Sequence, residues 1–152
     1  MKRNLTVVKG ALHALAMVAA VPALADEAAD AARKDIEATL GMMPSMFATL
    51  PDLALPGARG EIKGFQLNPD SALDAKTKEL LGLAGASQIP CVYCIYFHTI
   101  AAKANGASVE EVREAVAMAA IVRHWSTMLN GMQVDQAAFE DEINTLFAAA
   151  QN

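Results

Sequence analysis

Apolar and polar positions along this chain recur with the period of helices, and no window alternates in the manner of a half-buried strand. The pattern predicts a helix over residues 28–40, rich in Ala and charge and ended by Gly41. Met42-Met43-Pro44-Ser45 breaks it. A short helix over 45–50 follows, stopped by Pro51, and then a weaker helical stretch over 53–63, interrupted by Pro56, Gly57 and Gly60. Asn68-Pro69-Asp70-Ser71 reads as a loop, and Asp74 as the N-cap of a helix over 75–86. Ser87-Gln88-Ile89-Pro90 links that helix to another over 90–104, which ends at Asn105-Gly106. Pro90 suits its first turn, where a missing N–H costs nothing. Ser108 and Glu111 fit a capping box that opens a long helix to Asn130-Gly131. Its apolar face includes Val112, Val116, Ala119, Ala120 and Trp125, the last expected in the core. Residues 134–150 read as a last, acidic amphipathic helix.

Residues 89–102 carry no formal charge. A helix uncharged on all faces is expected to be buried all round, as the central helix of the fold or at a subunit interface. The fold class is therefore all-α, in a single domain.

The first 25 residues read differently. Lys2, Arg3 and Lys9 give a positive start, residues 10–25 are uncharged, and Ala23-Leu24-Ala25 offers a small-x-small cleavage pattern. The uncharged run is short for a membrane span and contains Pro22. Residues 1–25 are thus expected to be a secretory signal peptide and 26–152 the domain, exported and periplasmic, with no stable membrane association once cleaved. Cleavage leaves 127 residues with 9 basic and 17 acidic side chains, a net charge of −8. An acidic chain without a basic stripe argues against nucleic acid and anionic membranes as partners.

Export changes the reading of Cys91 and Cys94, the only two cysteines. An oxidising compartment favours disulfides, but a loop this small stabilises a fold little through chain entropy. Redox function explains the pair better than stapling does. On a helix, Cys91, Cys94 and His98 fall at i, i+3 and i+7, along one stripe. Both sulfurs lie near the helix start, where free N–H groups and the macrodipole favour a thiolate. His98 can accept or relay a proton. Glu79, from the preceding helix, can reach the cluster across the short link and serve as the relay's terminal base. Taken singly, each has a plainer reading: Glu79 a solvated helix residue like its neighbour Lys78, His98 a core histidine, the cysteines inert small hydrophobes. Their joint spacing is what points to chemistry.

Glu79-x11-Cys91-x2-Cys94-x3-His98 resembles the signature of the alkylhydroperoxidase-like (AhpD-like) members of the carboxymuconolactone decarboxylase family. Residues 73–80, 105–112 and 41–47 resemble its flanking segments, so the likeness covers roughly residues 36–131. The resemblance implies a helical domain with the Cys-x-x-Cys pair at the start of a central helix, assembled into trimers or hexamers. It implies a thiol peroxidase acting on organic hydroperoxides or hydrogen peroxide, without metal or cofactor. Cys94 would be the peroxidatic thiol, Cys91 would resolve it as a disulfide, and Glu79 and His98 would relay protons. An external dithiol would reset the pair. Better-known members carry a histidine just before the second cysteine, where this chain has Tyr93. A second relay histidine is therefore missing, which predicts slower turnover. The familiar reductant system is cytosolic, so an exported chain needs another donor.

Other chemistries fit less well. Ile95 after the second cysteine removes the haem-attachment pattern, and one Cys-x-x-Cys, even with Glu79 or His124 as a further ligand, is a weak zinc signal. Thioredoxin chemistry needs a preceding strand. Met42, Met43, Met46, Met118, Met128 and Met132 read as core or pocket lining. Two alternatives remain: a thiol–disulfide oxidoreductase of exported proteins, and a non-catalytic oligomeric binding protein that keeps the fold.

Overall fold

A computed structural model describes residues 11–150, with side chains from residue 24 onward. Among the described residues there is no strand, and the expected all-α class holds. The chain forms two compact units that meet in sequence at Ser71 and Ala72.

The first unit contains α1 (Ala11–Leu40), α2 (Ser45–Ala48) and α3 (Leu55–Glu61), the last running on into a π turn (Ile62–Gln66). α1 ends at Gly41, whose φ of 75° is the left-handed geometry glycine adopts without a Cβ clash. Ala32, Ile36, Phe47 and Leu55 make the core, with Met43, Leu50 and Ile62 packed around them. The buried Arg59 fastens α3 to α1. Its Nε donates to Asp35 at 2.7 Å and its Nη2 to Thr39 Oγ1 at 2.8 Å. Lys63 donates to the other Asp35 oxygen at 2.6 Å. The two cations, Lys63 first, hold the Asp35 carboxyl below its ordinary range. α1 starts earlier than the pattern predicts and runs through Ala25. Of the segment expected to be cleaved, residues 1–10 and the side chains up to residue 23 lie outside the described residues.

The second unit contains α4 (Ala75–Gln88), α5 (Val92–Ala104), α6 (Val109–Gly131) and α7 (Gln136–Ala149). Three starts follow from side-chain caps. Asp74 accepts from the Thr77 N–H, Asp135 accepts from Ala138, and Ser108 and Glu111 form the complete capping box. Gly106, at φ 86°, ends α5 as the pattern predicts. α4 packs against both α5 and α6, while α5 and α6 scarcely touch. Glu79, Leu83 and Ala86 are its buried stripe, at i, i+4 and i+7.

Five expectations need correcting. The centre of this unit is α4, not the cysteine helix, because it is the helix on which both α5 and α6 pack. α5 is not buried all round: Val92, Tyr93, Tyr96 and Ile100 are exposed, and Ala102 is its one fully buried residue. Lys78 is buried rather than solvated, beside the buried Glu79. Trp125 is 55% exposed, and five of the six singled-out methionines are exposed, Met43 being the one in a core. Arg123 is the contact of α6's second half with α4, and beyond it Trp125 and Met128 stay exposed. No described helix is long and apolar enough to cross a membrane.

Candidate functional site

Pro90 does not enter the helix. It belongs to the turn, and Cys91 is the N-cap of α5, with its Sγ accepting from the Cys94 N–H at 3.2 Å. A sulfur thus takes the place usually held by a hydroxyl or carboxylate oxygen. The Cys91 N–H in turn donates to the Ala86 carbonyl at 3.1 Å, which joins the cysteine to the end of α4. Cys91 and Cys94 are linked as a disulfide, with Cα atoms 5.3 Å apart, inside the range such bonds span. Both cysteines are half-buried, so an incoming reagent has partial access.

One turn past Cys94, His98 Nδ1 lies 2.6 Å from Glu79 Oε2. Glu79 is 3% exposed and His98 is half-buried. With the carboxylate as acceptor, Nδ1–H donates and Nε2 keeps its lone pair. That pattern fixes the imidazole's orientation and leaves one nitrogen able to take a proton. The structure therefore pairs Glu79 of α4 with His98 of α5, the helix that Cys91 caps.

Three contributors escaped the sequence reading. A Cβ on Gly82 would lie 2.5 Å from His98 Cε1 and 2.6 Å from Nδ1, so only glycine leaves room for the ring over α4. An isolated glycine inside a helical pattern was the available signal. The other two are Gln88 and Arg123. Arg123 Nε donates to Gln88 Oε1 at 2.7 Å and its Nη2 to the Gln88 carbonyl at 3.1 Å. Gln88 Nε2 in turn donates to the Ala119 carbonyl. Nothing in their spacing marks them, since they are 35 residues apart.

Two carboxylates frame the unit. Lys76 pairs with Glu111 at 2.7 Å and, ahead of the Ser108 N–H, holds that carboxyl below its ordinary range. The Thr77 N–H does the same for Asp74. Among the described residues no group of three His, Cys, Asp or Glu side chains is placed to hold a metal ion. His124 and Trp125 touch edge to face on the exposed part of α6 and take no part in the site.

A Cys-x-x-Cys disulfide at the start of a helix, with a carboxylate–imidazole pair one turn along, marks this all-helical domain. A model of the carboxymuconolactone decarboxylase family matches residues 58–137, and the chain belongs to that family. The crystal structure of an alkylhydroperoxidase AhpD core from Rhodospirillum rubrum has the same fold, with a TM-score of 0.64 and 25% identity. The match covers 82% of this chain and 90% of that one. A protein of Paracoccus denitrificans, described as uncharacterized protein 4 in the cox locus, is 34% identical over 85 residues. These are 53% of this chain and 77% of the relative.

Proposed function

We propose that the protein is a thiol-dependent peroxidase that reduces organic hydroperoxides or hydrogen peroxide. The observation that carries this reading is the 2.6 Å Glu79–His98 pair, one turn beyond a bonded Cys91–Cys94 couple at a helix start. The likeness to an alkylhydroperoxidase core supports it.

In the reduced protein the Cys94 thiolate attacks the terminal oxygen of the hydroperoxide. The O–O bond breaks, Cys94 becomes a sulfenic acid, and the leaving alkoxide takes a proton to become the alcohol. The Cys91 thiolate then attacks the Cys94 sulfur and expels hydroxide, which takes up the proton given by the Cys91 thiol and leaves as water, closing the Cys91–Cys94 disulfide. An external dithiol returns two electrons and two protons. His98, held by Glu79, takes the thiol proton and delivers it to the alkoxide. Tyr93 is exposed and contributes no second imidazole, so slower turnover is the expected outcome.

The uncovered apolar residues of α5, with Trp125 and Met128 on α6 and Leu146 and Phe147 on α7, are what further copies of this chain would cover. Homo-oligomerisation, as trimer or hexamer, and export after loss of residues 1–25 complete the proposal. Light scattering on the mature protein tests the first, and mass spectrometry of the periplasmic fraction the second.

The direct test follows peroxide consumption by reduced wild type, Cys91→Ser and Cys94→Ser, with thiol trapping and mass spectrometry. Disulfide closure in wild type and a trapped sulfenic acid on Cys94 in Cys91→Ser are expected. Untouched peroxide with exchange of protein disulfides would make the pair a dithiol shuttle. Silence in both assays would leave a binding protein.

A further inference from the structure

The turn between α4 and α5 sets where Cys91 stands, and Arg123 of α6 holds it from outside. Gln88 is the last residue of α4, so its carbonyl is among those a helix leaves without an internal partner. Arg123 donates to that carbonyl at 3.1 Å and to the Gln88 side chain at 2.7 Å. A guanidinium is suited to this: it is a rigid fork, and a cation at a helix C-terminus also favours the dipole. Gln88 is fixed a third time through its donation to the Ala119 carbonyl of α6. Only Ile89 and Pro90 separate Gln88 from Cys91, and Cys91 is itself bonded back to Ala86. The clamp therefore acts on the backbone that presents the sulfur.

We propose that Arg123, through Gln88, is a positioning residue for the Cys91–Cys94 couple and helps set its reduction potential. The reasoning is differential. With the couple closed, Cys91 sits in an extended N-cap conformation with Sγ accepting from the Cys94 N–H. Once the S–S bond no longer ties Cys91 to Cys94, the turn is freer to relax. An interaction that fixes the turn thus favours the disulfide over the dithiol. The reaction is disulfide plus two electrons and two protons giving two thiols, with an external dithiol as electron source. Losing the clamp shifts that equilibrium toward the thiols. The inference rests on the couple cycling between these states and does not require that its oxidant be a peroxide.

The test equilibrates wild type, Arg123→Ala, Arg123→Lys and Gln88→Ala in dithiothreitol redox buffers. The reduced fraction is read by thiol alkylation and mass, and the thermal midpoint of each redox form is measured in parallel. Arg123→Ala is expected to be several-fold to tenfold easier to reduce; tenfold corresponds to about 30 mV for a two-electron couple. Arg123→Lys, which keeps the charge without the fork, and Gln88→Ala, which keeps the carbonyl, should fall between it and wild type. A thermal midpoint lowered equally in both redox forms, with the reduction equilibrium unmoved, would make the clamp purely structural and overturn the inference. If Arg123→Ala does not fold, an unmoved equilibrium in both Arg123→Lys and Gln88→Ala overturns it equally. Peroxide is absent throughout. A moved equilibrium in a protein that ignores peroxide would keep this inference while the peroxidase reading fails.

Discussion

Gly82→Ala separates the geometry of the relay from the mere presence of its residues. The new Cβ would stand 2.5 Å from His98 Cε1, whereas ordinary contact begins near 3.4 Å, so about 0.9 Å must be found. α4 cannot yield, since it is packed by helices on two sides. The imidazole has to move, and its bond to Glu79 is 2.6 Å long. A retreat of that size carries it to about 3.5 Å, beyond the useful range. Losing a hydrogen bond to a charged group costs about 1.5–3 kcal/mol. Replacing a mid-helix glycine by alanine returns about 1 kcal/mol. The loss outweighs the gain, and a net destabilisation of about 0.5–2 kcal/mol is expected.

Gly85→Ala is the matched control on the same helix, because a Cβ there meets nothing within 4 Å. It should be stabilising by up to about 1 kcal/mol, with activity unchanged. Displacing a catalytic group by about 1 Å can cost about a hundredfold in rate, so Gly82→Ala should lose peroxide turnover on that scale. Urea unfolding and the initial rate of peroxide consumption with dithiothreitol as reductant read the two quantities. If Gly82→Ala is as stable and as active as Gly85→Ala, the ring is not pinned where the structure has it, and the relay argument fails with it.

Glu79→Gln keeps the size of the side chain but removes the charge that steadies the imidazole; peroxide turnover should fall by about a hundredfold or more while the Cys91–Cys94 disulfide still closes with a small-molecule oxidant. Ser108→Ala removes the cap of α6 and should lower stability by about 1 kcal/mol, a shift of a few degrees in thermal midpoint, with turnover per folded molecule unaltered. Glu111 has its pKa lowered in the folded state, first by Lys76. Its contribution is therefore complete above its ordinary value of 4.5 and is lost as pH falls through the lower folded value. Glu111→Gln, which can still accept from the Ser108 N–H, should lessen the loss of urea stability on acidification below that value; an unchanged acid profile would show that the Lys76 pair contributes nothing.

What the sequence made legible divides along a physical line. Interactions between residues close in the chain could be read directly: Asp74 three residues before Thr77, Ser108 three before Glu111, Gly41 and Gly106 at helix ends, and the cysteine and histidine spacing. In these the backbone brings the partners together whatever the tertiary structure. The Glu79–His98 contact spans 19 residues but joins consecutive helices across a short link, so it was still within reach. The Arg123–Gln88 clamp was not, because only the packing of α6 on α4 creates it, and an arginine on a polar helix face looks the same with or without a partner. Burial failed for a related reason. Hydropathy reports that the uncharged face of α5 and the side of α6 bearing Trp125 require a cover, and it says nothing of which molecule supplies it. The burial that hydropathy predicts for α5 and Trp125 is not met within this chain. Lys78 departs in the opposite direction, because a charge in the sequence reads as exposure. Its burial beside Glu79 follows from α4 being the central helix, and that could be known only once both of its neighbours were in place.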